Sequence, residues 1–383
     1  MARRVLSILF AVVFMDLVGF GMVIPLLPLY AELYAPPAWA FGLLMASYSA
    51  MQFVFSPILG ALSDRWGRRP VLLLSLAGSV VGYLLFGLAD SLALLFASRL
   101  VAGVAGGNVA TAQAVIADVT PPADRAKGMG LIGAAFGLGF IAGPALAGLL
   151  LSVSPRLPGF AAAAFSALAW VAAWLALPET RKPGQGSVAR RFPLAAARGL
   201  GGLLLVGFLT VTAWAAFEVT FAQFLHARFQ LPAARVAWLF AYVGLLAVLV
   251  QGFLVRKIPG QVPPKVLVVG GLGVSAGGLV LLVGAQTMAT VVAVLPLLAL
   301  GQGLASPALS SWVSRRSPAA AQGEALGAFQ GVGSLARIVG PMAGQMVLGH
   351  LGVAAVPLTC ALLAVGGLVA ALLLPVEPSL GSP

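Results

Sequence analysis

Charge is what this chain has least of. Only 8% of its 383 residues are Asp, Glu, Lys or Arg, where a soluble globular protein carries about 25%. Too few charges remain to cover a water-facing surface. Cysteine is almost missing: Cys360 stands alone, which excludes a disulfide framework and a thiolate metal site. The two histidines, His226 and His350, lie far apart and match no metal-ligand spacing. No metal and no cofactor is therefore expected. The strings H-E-x-x-H, G-x-S-x-G and G-x-x-x-x-G-K-[ST] do not occur. A membrane-embedded enzyme or an ATP-driven pump would lack its usual parts. Acid is scarcer than base, with 10 Asp and Glu against 22 Lys and Arg and a net charge of +12. The basic residues are scattered between apolar runs, which argues against nucleic acid as a partner.

What fills the chain instead is apolar side chain: 61% hydrophobic, at a mean hydropathy of +1.05. A lipid bilayer is the solvent that suits this composition, and a spanning helix needs about 20 mostly apolar residues. Barrel strands would alternate with period two. These runs are continuous, so helices are predicted. Twelve spans fit, at 5–30, 39–62, 70–89, 92–116, 127–152, 158–177, 199–225, 234–255, 264–285, 288–312, 323–349 and 352–374. Met1-Ala-Arg-Arg and the following apolar run look like a secretory leader. The run continues past Pro25 without a small-residue cleavage site and holds Asp16, so it is expected to stay as the first span.

The longest polar stretch, about 178–198, divides the spans six and six. The expected organisation is a six-helix bundle over 1–178, a cytoplasmic linker over 179–198, and a second six-helix bundle with a short tail over 199–383. Cation placement supports the register. With the N-terminus in the cytoplasm, the cytoplasmic segments hold most of the Lys and Arg, including Arg3, Arg4, Arg65, Arg68, Arg69, Arg181, Lys182, Arg256, Lys257, Arg315 and Arg316. The opposite side holds only Arg156, Arg228 and Arg235. This is the positive-inside pattern, and it puts both termini in the cytoplasm. The halves also repeat. Gly130 aligns with Gly327, Gly143-Pro144 with Gly340-Pro341, and Pro121 with Pro318. Parallel six-span repeats are one architecture of secondary transporters.

The turn between spans 2 and 3 crowds Asp64, Arg65, Arg68 and Arg69 between Gly60 and Pro70. The arginines suit anionic headgroups, Gly67 suits a tight turn with positive φ, and Asp64 is placed to cap the next helix. Gly60-x-Leu62-x-Asp64-Arg65-x-Gly67-Arg68-Arg69 resembles the loop motif of the major facilitator superfamily, and in particular of its drug:proton antiporters, including the tetracycline-efflux branch. Arg99 through Gly107 resembles that family's span-4 motif. Gly133 through Gly148, with Gly143-Pro144, resembles its span-5 antiporter motif, and Phe217-Glu218-Val-Thr220-Phe221 also resembles this branch. The resemblance implies an all-α membrane protein of twelve helices in two pseudo-symmetric bundles. It also implies a gating role for the loop and a part in proton transfer for Arg99. Gly82-Tyr83-Leu84-Leu85 lacks the acid that the tetracycline branch places there.

Four ionisable residues fall inside spans: Asp16, Arg99, Glu218 and Arg337. Each costs about 2.5–3.5 kcal/mol on the lenient insertion scale. They need partners, water or protonation. Asp16, Arg99 and Glu218 are the expected proton-coupling residues. Asp16, Asn108, Gln113, Glu218, Gln251 and Arg337 are expected to line a substrate cavity. Arg337 can balance Glu218 or attract an anionic substrate. In span 5, Gly133, Gly137, Gly139 and Gly143 form small-residue stripes for close helix approach. Pro144 and Pro341 mark bends. The expected function is proton-gradient-driven export of small amphipathic or drug-like molecules by a monomer in the cytoplasmic (inner) membrane. Import of a metabolite by the same fold is the alternative.

Overall fold

The computed structural model describes residues 2–24, 26–27, 30, 33–106, 108–120, 125–180, 199–250, 262–316 and 322–375. Among these, regular structure is entirely helical. The helices are α1 (Ala2–Val23), α2 (Ala38–Trp66), α3 (Arg68–Gly87), α4 (Leu92–Ala105), α5 (Asn108–Val119), α6 (Arg125–Leu151), α7 (Leu157–Ala176), α8 (Gly201–Phe229), α9 (Ala233–Leu249), α10 (Pro264–Val283), α11 (Met288–Arg315), α12 (Gln322–Leu351) and α13 (Ala355–Leu373). Eight described helices are long and apolar enough to cross a membrane. Their large apolar side chains point outward in number, as on α3 (Leu74, Val81, Leu84) and α7 (Leu168, Val171, Leu175). In lipid such exposure costs nothing, and backbone groups must instead be satisfied within each helix.

The fourth expected span differs from its sequence reading. It runs as two helices, α4 ending at Ala105 and α5 starting at Asn108. Gly106 caps the end of α4, and glycine has the weakest helix propensity short of proline. Elsewhere local signals hold. Ser91 and Thr287 cap α4 and α11, each side-chain oxygen accepting the N–H three residues on, at 3.4 and 3.2 Å. Proline opens α7 and α10, where its missing N–H is harmless.

The chain forms two compact units, Met1–Arg190 with Leu225–Leu245, and Arg191–Phe224 with Leu246–Pro383. In the first, α1 packs against α6 and α7, and α3 against α4 and α7. Its core includes Leu9, Val12, Leu72, Leu76, Val115 and Ile116. Segment 225–245 joins this unit through α9: a Cβ added at Gly244 would run into the Phe140 carbonyl of α6, and Gly148 of α6 lies against Trp238. In the second unit, α10 packs against α11 and α13, around Trp312, Leu203 and Leu272.

Small residues set the closest crossings. A Cβ on Gly143 would lie 2.7 Å from both the Val18 carbonyl oxygen and Gly21, and one on Gly139 would lie 2.9 Å from Leu17 Cβ. The span-5 stripe is thus used within its own unit, against α1. Gly340 does the same on α12, with a Cβ 2.8 Å from the Thr212 carbonyl and 2.9 Å from Ala215 of α8. Both crossings lie beside a helix-interior proline, Pro144 and Pro341. A second repeated device clamps helix ends. Arg69 on α3 donates to the Trp174 carbonyl of α7. Lys265 on α10 donates to the carbonyls of Leu372 and Leu374, at 2.9 and 2.5 Å, at the end of α13. A cation at a helix C-terminus also favours the dipole.

Candidate functional site

Asp16 sits well inside α1 and is 7% exposed. Three other helices supply its partners. Asn108, at the start of α5, donates its side-chain N–H to Oδ2. Ser166 of α7 donates its hydroxyl to Oδ1 at 2.8 Å. Ser79 of α3 donates as well. Asn108 is the first residue of α5. Hydrogen bonds to a charged group contribute about 1.5–3 kcal/mol each. Together they can hold an ionised carboxylate where lipid alone would forbid one.

Arg99 of α4 is 2% exposed. Its guanidinium lies 5.5 Å from the centroid of the Phe86 ring and donates to Ser98 at 3.1 Å. Among the described residues no carboxylate comes within 4 Å of it. Tyr83 of α3 stands in the electrostatic field of both Asp16 and Arg99, and Tyr48 of α2 acts on Tyr83 and Arg99. The Tyr83 ring packs one turn along α1 from Asp16, where a Cβ on Gly19 would lie 3.2 Å from Cε2. Carboxylate, phenol and guanidinium thus share one buried region of the first unit. The expected Asp16 and Arg99 are brought together through Tyr83 instead of by a direct ion pair.

The α2–α3 turn is a network of ions. Arg68 pairs with Asp64 at 2.8 Å and with Asp118 of α5 at 2.9 Å, and donates to Ser63 at 2.6 Å. Its side chain is buried, so it is a structural ion and not a headgroup anchor. Arg65 is exposed and Gly60 faces open space. The cap expected from Asp64 comes from elsewhere. Glu179, just past α7, accepts the backbone N–H groups of Arg68 at 2.8 Å and Arg69 at 3.1 Å. Gly67, at φ +104°, makes the turn.

In the second unit, Glu218 of α8 interacts electrostatically with Arg337 of α12. Arg337 also donates to Ser334 at 3.2 Å. Both are half-buried, as charge balance between them requires. Deeper on the same helices, Gln345 donates to Gln223 at 2.6 Å. Thr210, Trp214, Phe217, Ser275, Gln302 and their neighbours enclose a cavity of about 20 Å³, room for a single water. Gln113 is exposed and stands apart from the Asp16 group. Gln251 lies outside the described residues. Gly133 and Gly137 lie on α6.

Sequence reasoning missed Ser79, Tyr83, Ser166, Asp118, Glu179 and Gln345. A serine in an apolar run carries little signal. Tyr83 was visible only as the place where an acid is absent. Glu179 was readable as part of a linker. Its context, Leu177-Pro178 after α7, recurs as Leu374-Pro375 after α13, which marks a repeated helix end.

Known proteins agree with this architecture. The chain is 34% identical to the class C tetracycline resistance protein of Escherichia coli over 355 residues, covering 89% of each. It is 32% identical to human major facilitator superfamily domain-containing protein 10, covering 90% of this chain and 87% of that one. Among solved structures, the human organic anion transporter MFSD10 (TETRAN) superposes with a TM-score of 0.75 at 28% identity, covering 97% of this chain and 99% of that one. The nucleoside transporter NupG shares the fold alone, with a TM-score of 0.78 at 14% identity. Residues 9–341 match the Major Facilitator Superfamily, and the chain belongs to that family of membrane transporters.

Proposed function

We propose that this chain is a proton-coupled antiporter that exports small amphipathic, drug-like molecules across the cytoplasmic (inner) membrane by alternating access. It would act as a monomer with both termini in the cytoplasm, driven by the proton gradient without a cofactor. The two six-helix halves, joined through 179–198, would be the moving parts. The observation that carries this reading is Asp16: a carboxylate buried on a spanning helix, held by donors from three other helices and, among the described residues, without an ion pair.

Such a group can exist in two forms that ask for different surroundings. Ionised, it needs Asn108, Ser166 and Ser79 as donors. Protonated, it drops its claim on one or more of them, and the helices they belong to are freed to rearrange. A proton bound on one side and released on the other is thereby linked to helix packing, which is the coupling that antiport requires. Glu218 and Arg337 would contribute polar groups for substrate, with Glu218 as a second proton carrier. Curated relatives that are tetracycline resistance proteins favour export and drug-like cargo. The similar human organic anion transporter makes an amphipathic anion the second cargo class to test.

The test is proton flux in proteoliposomes with a trapped pH dye. Tetracycline, a lipophilic cation and an organic anion would each be added under an imposed proton gradient. A cargo that moves protons in the exchange direction supports antiport. Proton movement in the same direction as the cargo would turn the reading to symport and import. Cargo equilibration with no proton movement would overturn coupling.

A further inference from the structure

We infer that Glu179 is a positioning residue for the α2–α3 turn, a latch that ties the end of α7, where the linker between the halves begins, to the Asp64–Arg68–Asp118 network. The inference rests on the transporter reading, since what the latch would position is a moving element.

The geometry is specific. An α-helix starts with N–H groups that have no partner inside the helix. The usual remedy is a side chain just before the helix. At α3 that position is Gly67, which has no side chain, and α3 has no capping bond from it. Asp64, the nearest acid in sequence, is turned to Arg68. Glu179 reaches in from 111 residues away along the chain, and its two carboxylate oxygens take one N–H each from Arg68 and Arg69. Gly67 is required twice over. Its φ of +104° disfavours any other residue, and a Cβ there would collide with the Glu179 carboxylate.

The surrounding bonds all join the same elements. Arg69 donates to the Trp174 carbonyl in the last turn of α7. Thr180, next to Glu179, donates to Asp118 at 3.4 Å, the same oxygen that holds Arg68. Residues 174–180 therefore hold both the backbone of the turn and the acid that pairs with its buried arginine. If Glu179 lets go, the N–H groups of Arg68 and Arg69 face water, and Arg68 loses the backbone anchor that aims it at Asp64 and Asp118. The Arg68 pairings do not explain this contact, because they would form equally with a water-capped helix.

The experiment uses the full-length protein in lipid nanodiscs and proteoliposomes, with variants Glu179→Ala and Glu179→Gln. Hydrogen exchange is read on the peptide covering Arg68 and Arg69, and transport is read as turnover and apparent KM. Glu179→Ala should speed exchange of those amides about fivefold, the size of a lost helix cap, with Glu179→Gln in between. Turnover should fall in the same order while KM stays unchanged. Unchanged exchange would overturn the latch itself. Faster exchange with unchanged turnover would reduce Glu179 to a simple cap and overturn the positioning role. If the wild-type protein moves no cargo, the transporter reading fails instead, while exchange still reports on the latch. Should Glu179→Ala not fold, Glu179→Gln carries both readouts.

Discussion

Val18 and Gly21 of α1 take the close approach of Gly143, and Thr212 and Ala215 of α8 take that of Gly340. The spacing is the same, and each crossing sits beside a proline. Two residues before Val18 is Asp16; two before Thr212 is Thr210. Asp16 is held by three helices, whereas Thr210 bonds only to its own helix, at 2.7 Å to the Val206 carbonyl, and lines a cavity with Leu272 and Leu298. The next pair of helices repeats the contrast. A Cβ on Gly82 would meet Ala102, and one on Gly301 would meet Ser275. Three residues before Ala102 is Arg99, and three before Gly301 is Leu298. The two units share crossings set by small residues, while Asp16 and Arg99 are matched at the corresponding positions of the second unit by the uncharged Thr210 and Leu298. Scaffold and chemistry are thus separable: glycine spacing makes the bundle, and a few polar substitutions inside it make the site.

That separation can be attacked directly. Arg99→Leu gives the first unit the residue of the second. It should cut proton-coupled transport at least tenfold while leaving stability unchanged or higher, since a buried charge with no carboxylate partner among the described residues is replaced by a packed apolar side chain. Transport assays and thermal unfolding in detergent check the two halves of that statement, and a large loss of stability would show that Arg99 is structural. The reverse exchange, Thr210→Asp, puts a carboxylate into the cavity of the second unit, which has room for only a single water. A loss of about 3 kcal/mol is expected, read as a lowered unfolding temperature, and tolerance would mean that Trp214, Ser275 or Gln302 of the cavity can supply the donors an acid needs there.

Gly143→Ala and Gly340→Ala probe what the units share. Each brings a methyl to within 3 Å of backbone, so each should cost about 1–3 kcal/mol, and the two costs should be alike. A harmless change at one of them would break the likeness of the crossings. The smallest effect belongs to Ser166→Ala, which removes one donor from Asp16. About 1 kcal/mol is expected, with turnover reduced severalfold, and the corresponding Ala364 of the cavity should accept Ser without harm.

The sequence made the membrane class, the helices and the glycine-proline crossings legible because these rest on composition and on Gly and Pro placement, which act locally. Asp16, Arg99, Asn108 and the Glu218–Arg337 pairing were readable for a related reason: a charge or amide in an apolar run is conspicuous. Ser79, Ser166 and Tyr83 were not, because a small hydroxyl or a phenol in a helix has many ordinary uses and only the fold shows which of them meets Asp16. Glu179 was hidden by distance along the chain. The Asn108 amide was conspicuous in the sequence, but its bond to Asp16, 92 residues away along the chain, belongs to three dimensions.

The most direct measurement compares Asp16→Asn with the wild-type protein in proteoliposomes, reading both cargo-driven proton flux and proton-independent exchange of labelled for unlabelled cargo. If Asp16 is the coupling carboxylate, the variant loses proton flux and keeps exchange, because Asn keeps the shape of the side chain and resembles the protonated acid but cannot carry a proton. Proton flux that persists at the wild-type level in Asp16→Asn would contradict the account.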